Sequence, residues 1–352
     1  MKKILLITTF LCCCHTFSQR NEIAWNKAKE AIKLMDEGKI DESIVILQEC
    51  EKMDDQDYTY PYEIAYAYQL KKDYAAAIAI LDKTKNYKNS NSQVYQLSGN
   101  CYSYLGKPDL AIKEYEDGMK KFPKAANLHL EKGNIFLHQK KYNEAIENYE
   151  AGIKADPMFP SNYYRLALLY LDSNDKLSGL IYGEIFLNLE RTTKRTKEMS
   201  KLLFDTYKSS IVFNGNETKI DFCDVIIDDK HLKRKEIRMP FCAIFGSNFI
   251  LSTLGQNDIN LESLSKIRTA FLQHYFKSDY KKYPNVLLAY HKKMLDDGHF
   301  ETYNNYIFQM GAQNEFADWK NNHKEDYENF VTWYTTEKNI IAIHQKNIFI
   351  KE

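Results

Sequence analysis

The sequence has no excess charge of either sign: 48 Lys and Arg stand against 48 Asp and Glu, for a formal net charge of zero. A nucleic-acid surface needs a concentrated positive face to neutralise phosphates, so this balance argues against that class of partner. Beyond the opening segment there is no apolar run of membrane-spanning length. The motifs that carry common chemistry are missing too. There is no HExxH zinc pair, no GxSxG elbow, no Gly-rich phosphate loop and no CxxC. What remains is His274, His291 and His299 with Asp296 and Asp297. A histidine eight before another shares no metal with it unless a fold brings the two together, so these read as surface or half-buried side chains. Asp172-Ser173-Asn174-Asp175 has a calcium-like composition but reads as a turn. No catalytic residue, metal ligand or cofactor site is predicted.

Cysteine is sparse, and three of the seven lie in the opening segment MKKILLITTFLCCCHTFSQ. Lys2 and Lys3 form a positive start, Ile4 to Cys14 is an apolar run too short to span a bilayer comfortably, and Thr16 and Ser18 are small residues acceptable to a signal peptidase. Residues 1–18 are therefore expected to be a secretory signal peptide cut near Ser18–Gln19, placing the mature chain in the periplasm or in association with the envelope. A lipid anchor on Cys14 is the alternative: Leu11 lies three residues before it, but Cys12 and Cys13 fill places where Ala, Ser or Gly are usual. Cys50 and Cys101 read as small core residues. Cys223 and Cys242 are nineteen apart in a stretch of different character, and an exported protein meets an oxidising compartment. They are expected to form a disulfide if the strands around them pair.

What is present is a repeat. From Ala126 to Phe159 the apolar residues fall at three- and four-residue spacing in two halves, separated by the polar turn Gln139-Lys140-Lys141 and stopped by Asp156-Pro157. Stepping by 34 residues gives five units: 24–57, 58–91, 92–125, 126–159 and 160–193. The eighth place holds Ala31, Ala65, Gly99, Gly133 and Ala167, and the twentieth holds Ser43, Ala77, Ala111, Ala145 and Gly179. Small residues are required where the two helices of a hairpin approach most closely. The eleventh place holds Leu34, Tyr68, Tyr102, Phe136 and Tyr170, large enough to fill the wedge between hairpins.

This period, with its Gly/Ala–Tyr–Ala–Tyr–Pro order, resembles the tetratricopeptide repeat family over residues 24–193. The resemblance implies an all-α, right-handed solenoid of helix–turn–helix repeats whose concave groove binds other proteins. Gly183, where a large residue is usual, suggests looser packing of the fifth unit. The groove positions implied by the family include Tyr62, Tyr66, Gln96, Asn100, Tyr104, Asn134, His138 and Tyr164. Members that clamp acidic carboxyl tails need a set of Lys, Asn and Arg on these faces. Here the matching places give Gln96, Asn100, Glu131, Ser161 and Arg165, and Glu131 would repel a carboxylate. The face is rich in amides and aromatics instead, suited to an extended backbone.

After residue 193 the period is lost. Residues 194–213 read as a capping helix that closes the last apolar face of the solenoid. Residues 214–352 read as a mostly helical C-terminal module with one small β-hairpin near 218–239. The expected strands are Thr218–Ile227 and His231–Met239, and Phe213-Asn214-Gly215-Asn216 is read as a turn ahead of them. Two functional readings follow. The first is an exported scaffold or adaptor holding an extended peptide of a protein partner, with no enzymatic activity, no nucleic acid and no transmembrane span in the mature chain. The alternative is an envelope enzyme with an unrecognised site in the C-terminal module, the repeats recruiting its substrate.

Overall fold

A computed structural model describes residues 21–215, 217–225 and 239–351. The expected signal segment lies outside the described residues. The fold is all-α, with 17 α-helices and one two-stranded antiparallel sheet among the described residues. The chain divides into two compact units at Glu114–Tyr115.

The first unit holds α1 (Glu22–Asp36), α2 (Ile40–Met53), α3 (Thr59–Leu70), α4 (Tyr74–Thr84), α5 (Ser92–Tyr104) and the start of α6 (Pro108–Lys121). From α1 to α5 each helix packs on the next in sequence. Ala31, Ser43, Ala65, Ala77 and Ala111 are fully buried, so the small places of the repeat are the contact points of its hairpins. One core gathers Ala24, Leu47, Cys50, Tyr60 and Ile64, and a second gathers Ala77, Leu81, Val94, Leu97 and Cys101.

The hairpins of the first four repeats turn in the same way. At the fifteenth place of the first two units stand Gly38 and Lys72, with φ of 81° and 63°. The next residue reaches back across the turn, Lys39 N–H to Leu34 C=O at 2.8 Å and Asp73 N–H to Tyr68 C=O at 2.9 Å. This left-handed closure satisfies carbonyls that the end of the helix would otherwise leave unpaired.

The second unit continues the pattern with α7 (Ala126–His138), α8 (Tyr142–Ala155), α9 (Pro160–Leu171), α10 (Lys176–Leu189) and α11 (Lys194–Ser210). A Cβ on Gly133 would stand 2.5 Å from the Tyr149 ring, and one on Gly179 would stand 2.6 Å from the backbone nitrogen of Leu171. Only glycine allows these approaches. Gly183 does not loosen the fifth hairpin as expected. It admits Met199 and Leu203 of α11, and α10 is buried from Leu177 to Asn188.

Beyond α11 the chain forms β1 (Ile211–Asn214), β2 (Glu217–Ile220) and six helices: α12 (Phe241–Ser252), α13 (Leu261–Ser278), α14 (Val286–Asp296), α15 (Phe300–Ile307), α16 (Gln313–Asn322) and α17 (Lys324–Thr335). The hairpin therefore sits earlier than the sequence reading near 218–239. Its register pairs Ile211 with Ile220 and Asn214 with Glu217 around Gly215, whose φ of 61° supplies the left-handed residue a tight turn needs. The turn cluster thus closes a hairpin instead of preceding one. The expected return strand at 231–239 lies outside the described residues except for Met239.

The expected capping helix ends at Ser210, because its last three residues are β1. Nor is α11 outermost. Phe204 packs on Phe308, and Tyr207 stacks on Phe249 at 6.0 Å, so helices that follow cover a second face of α11. One continuous core runs from Ala145 to Ile343 through Tyr182, Phe186, Phe271, Tyr275 and Tyr303.

Candidate functional site

The groove residues of the first unit occupy equivalent places one repeat apart. Tyr62 and Gln96 stand at the fifth place, Tyr66 and Asn100 at the ninth, and Tyr104 at the thirteenth. Their four-residue spacing puts Tyr62 and Tyr66 on one face of α3, and Gln96, Asn100 and Tyr104 on one face of α5. Helices α3 and α5 are neighbours. Tyr62 is half-buried against Tyr58, ring to ring at 6.3 Å. Burial first, then the nearby Glu63, pushes its hydroxyl up to about 12, so it stays a neutral donor and acceptor at any physiological pH.

Tyr66 and Tyr104 are the exposed aromatics of this face, at 39% and 63%. The Tyr104 ring is stacked on Tyr74 at 5.2 Å, which holds it flat while leaving its outer side open. Gln96 and Asn100 are half-buried, and each already has an interaction partner within the protein.

In the second unit Asn134 holds the ninth place of its repeat, His138 the thirteenth and Tyr164 the fifth. The amide of Asn134 is engaged on both sides: its NH2 donates to Glu131 at 3.1 Å, and its carbonyl accepts from the Tyr149 hydroxyl at 3.0 Å. One N–H and one lone pair are left for any ligand. His138 is exposed. Tyr164 lies 5.0 Å from the Phe186 ring, with the Arg195 guanidinium 5.0 Å from its own centroid. Arg195 also reaches Glu190 and Ser161, the latter at 3.2 Å. Burial would raise the Glu190 carboxyl, but Arg195 and Thr193 outweigh it and hold it below its ordinary value.

Residues 92–120 match the family described as "Tetratricopeptide repeat", and residues 133–174 match the one described as "TPR repeat". These two stretches of the chain are tetratricopeptide repeats. Similar solved structures include MamA, residues 41 to the end, from Desulfovibrio magneticus RS-1. It is 16% identical with a TM-score of 0.36, over 50% of this chain and 99% of that one. TTC0263, a thermophilic TPR protein in Thermus thermophilus, is 17% identical with a TM-score of 0.42, over 51% and 98%. The structure from a functional characterisation of Pseudomonas aeruginosa pilF is 16% identical with a TM-score of 0.43, over 54% and 85%. No curated protein matches.

Sequence reasoning passed over a buried polar network in the second unit. Glu184 on α10 accepts from Arg268 of α13 at 2.6 Å, from His291 of α14 at 2.8 Å and from Tyr303 of α15 at 2.9 Å. Asn188, one turn along α10, donates to the Tyr303 hydroxyl at 2.8 Å and accepts from Tyr334 at 3.0 Å. Burial alone would raise the Glu184 carboxyl; Arg268 and then His291 more than reverse this and hold it at about 2. Burial keeps His291 below the ordinary imidazole range, with Glu184 opposing. His291 is therefore neither a surface nor a half-buried side chain, whereas His274 is exposed and His299 half-buried. The cavity beside the network measures about 20 Å³, room for little more than one water. The geometry of these groups fits holding α10, α13, α14 and α15 together.

Cys223 and Cys242 form a disulfide with Cα atoms 6.4 Å apart. It joins an extended segment, bridged at Cys223 to Asp175, to the first turn of α12. A cleft of about 680 Å³ lies beside it, lined among others by Asp175, Asp224, Phe241, Tyr283 and Lys351. Its polar groups pair with one another: Lys351 with Asp175 at 2.8 Å, and Asn174 with Asp224 at 3.0 Å. No His, Cys, Asp and Glu cluster suited to a metal occurs among the described residues. No described helix is long and apolar enough to cross a membrane.

Proposed function

We propose that this protein is an exported interaction scaffold that holds an extended polypeptide segment on the first helices of its repeats. The observation that carries the reading is that Tyr66 and Tyr104 stand exposed, Tyr66 at the same repeat place as Asn100 and Tyr104 on the same helix face as Gln96 and Asn100. A held aromatic ring offers a large contact area with little side-chain entropy left to lose, and an amide pairs with a backbone unit without selecting the side chain it carries. In the second unit Asn134, His138 and Tyr164 hold the equivalent places of their own repeats. Photo-crosslinking tests this. A benzophenone residue at position 104 should capture one discrete partner in envelope extracts, and the same probe at exposed Lys33 should not. Equal capture at both positions, or at neither, would count against the face.

The apolar run after Lys2 and Lys3 and the small Thr16 and Ser18 support export. The Cys223–Cys242 disulfide fits an oxidising compartment. Intact mass of protein from the native host should correspond to a chain beginning at Gln19. A retained Met1, or a lipid on Cys14, would overturn the soluble form of this reading.

A further inference from the structure

The second unit already carries a peptide segment on its surface, and that segment is its own. In residues 345–351, QKNIFIK, the first three form a turn and Ile348 to Lys351 form neither helix nor sheet. They run past the end of α8, where the Gln345 side chain donates to the Lys154 carbonyl, and over α10. The Phe349 ring meets Tyr182 edge-on at 5.0 Å and lies 6.5 Å from Phe241. The Lys351 backbone N–H donates to the Tyr182 hydroxyl at 3.1 Å, and that hydroxyl in turn donates to Glu150 at 3.3 Å. The Lys351 ammonium pairs with Asp175 at 2.8 Å and sits 4.9 Å above the Tyr170 ring.

These contacts spell out a recognition pattern. An aromatic side chain enters between two fixed rings. A backbone N–H is accepted two residues later by a buried hydroxyl, and a cation ends in a carboxylate with an aromatic floor. Ile348, Phe349 and Ile350 are only half-buried, and the 680 Å³ cleft runs beside residues 347–351. The segment thus has an open flank along which another chain can approach.

We propose that Tyr170, Asp175, Tyr182 and Phe241 form a second peptide site, distinct from the first-helix face, and that residues 345–351 are its resident and displaceable ligand. The site takes an extended partner segment of the pattern aliphatic–aromatic–aliphatic–lysine. The tethered copy competes at the high effective concentration of an intramolecular ligand, so a partner binds only when it outcompetes that copy.

The test uses the full chain and a fluorescent peptide of residues 344–352, followed by anisotropy. In the variant Phe349→Ala/Lys351→Ala the resident segment is weakened while the four surface residues stay intact. The peptide should bind this variant at least about tenfold more tightly than it binds wild type. A peptide with its Phe changed to Ala and its Lys to Glu should bind at least about tenfold more weakly than the native peptide. Should the double variant lose its helical circular dichroism, Lys351→Ala alone carries the same comparison, since that side chain is 40% exposed. Equal binding of native and altered peptides, or no binding of either, would overturn the proposal. Tyr66→Ala/Tyr104→Ala should leave this titration unchanged, which separates its outcome from that of the first-helix face.

Discussion

Glu184 shows how one residue sets the packing of a whole region. Its helix reads KLSGLIYGEIFLNL, and Glu184 is the one acid in that apolar run. That lone charge was the available signal, but its partners lie 84, 107 and 119 residues further along the chain, where no spacing rule reaches. Replacing Glu184 with Gln removes the charge and leaves Arg268 buried beside a neutral amide. Breaking a buried pair in this way costs about 3–5 kcal/mol, to be read as a lower urea midpoint at pH 7. The pH dependence has a definite sign. The Glu184 carboxyl is held far below its unfolded value, so its contribution is complete above about pH 4.5 and lost as pH falls toward about 2. His291 is also depressed, so the unfolded chain takes up a proton first as pH drops through the ordinary imidazole range near 6.5. Both effects lower stability with falling pH. In Glu184→Gln the loss below about pH 4.5 should be smaller than in wild type, and equal slopes would contradict this account.

At the scale of elements, the repeat hairpins were legible because each depends on residues within 34 positions. The small eighth and twentieth places predicted the close approaches, and Gly133 against Tyr149 is one such contact. The turn rule was not read from the sequence. The fifteenth place alternates Gly38, Lys72, Gly106 and Lys140, all with positive φ, and the two lysines hide the pattern. A left-handed lysine carries a backbone strain that glycine does not, of about 1 kcal/mol. Lys72→Gly and Lys140→Gly should therefore each raise stability by about 0.5–1 kcal/mol in chemical denaturation, against the usual cost of adding a glycine. A loss at either position would show that the lysine makes a compensating contact. The mostly helical character after residue 240 was also legible, while the hairpin was misplaced. Thr218–Ile227 has strand composition, but Asn214-Gly215 turns the chain too early for that segment to begin the pair.

At the scale of the molecule, balanced charge and the repeat period together favour a protein that binds other proteins. Of the face the family implies, Tyr66 and Tyr104 stand exposed in the first unit. In the second, Asn134 is tied to Glu131 and Tyr149, and sequence spacing could not show this because hydrogen bonds within a repeat depend on rotamers that spacing does not fix. The resident segment at 345–351 was not foreseen at all, since its contacts are with α8, α10 and α12, far back along the chain. The central claim is that the first-helix face holds an extended segment. Its most direct test is the affinity of the crosslinked partner segment for wild type and for Tyr66→Ala/Tyr104→Ala, with the melting temperature measured alongside. Each exposed ring is expected to contribute about 1 kcal/mol or more as a contact anchor, so affinity should fall at least about tenfold while the melting temperature stays close to wild type. Unchanged affinity in a folded double variant would contradict the claim.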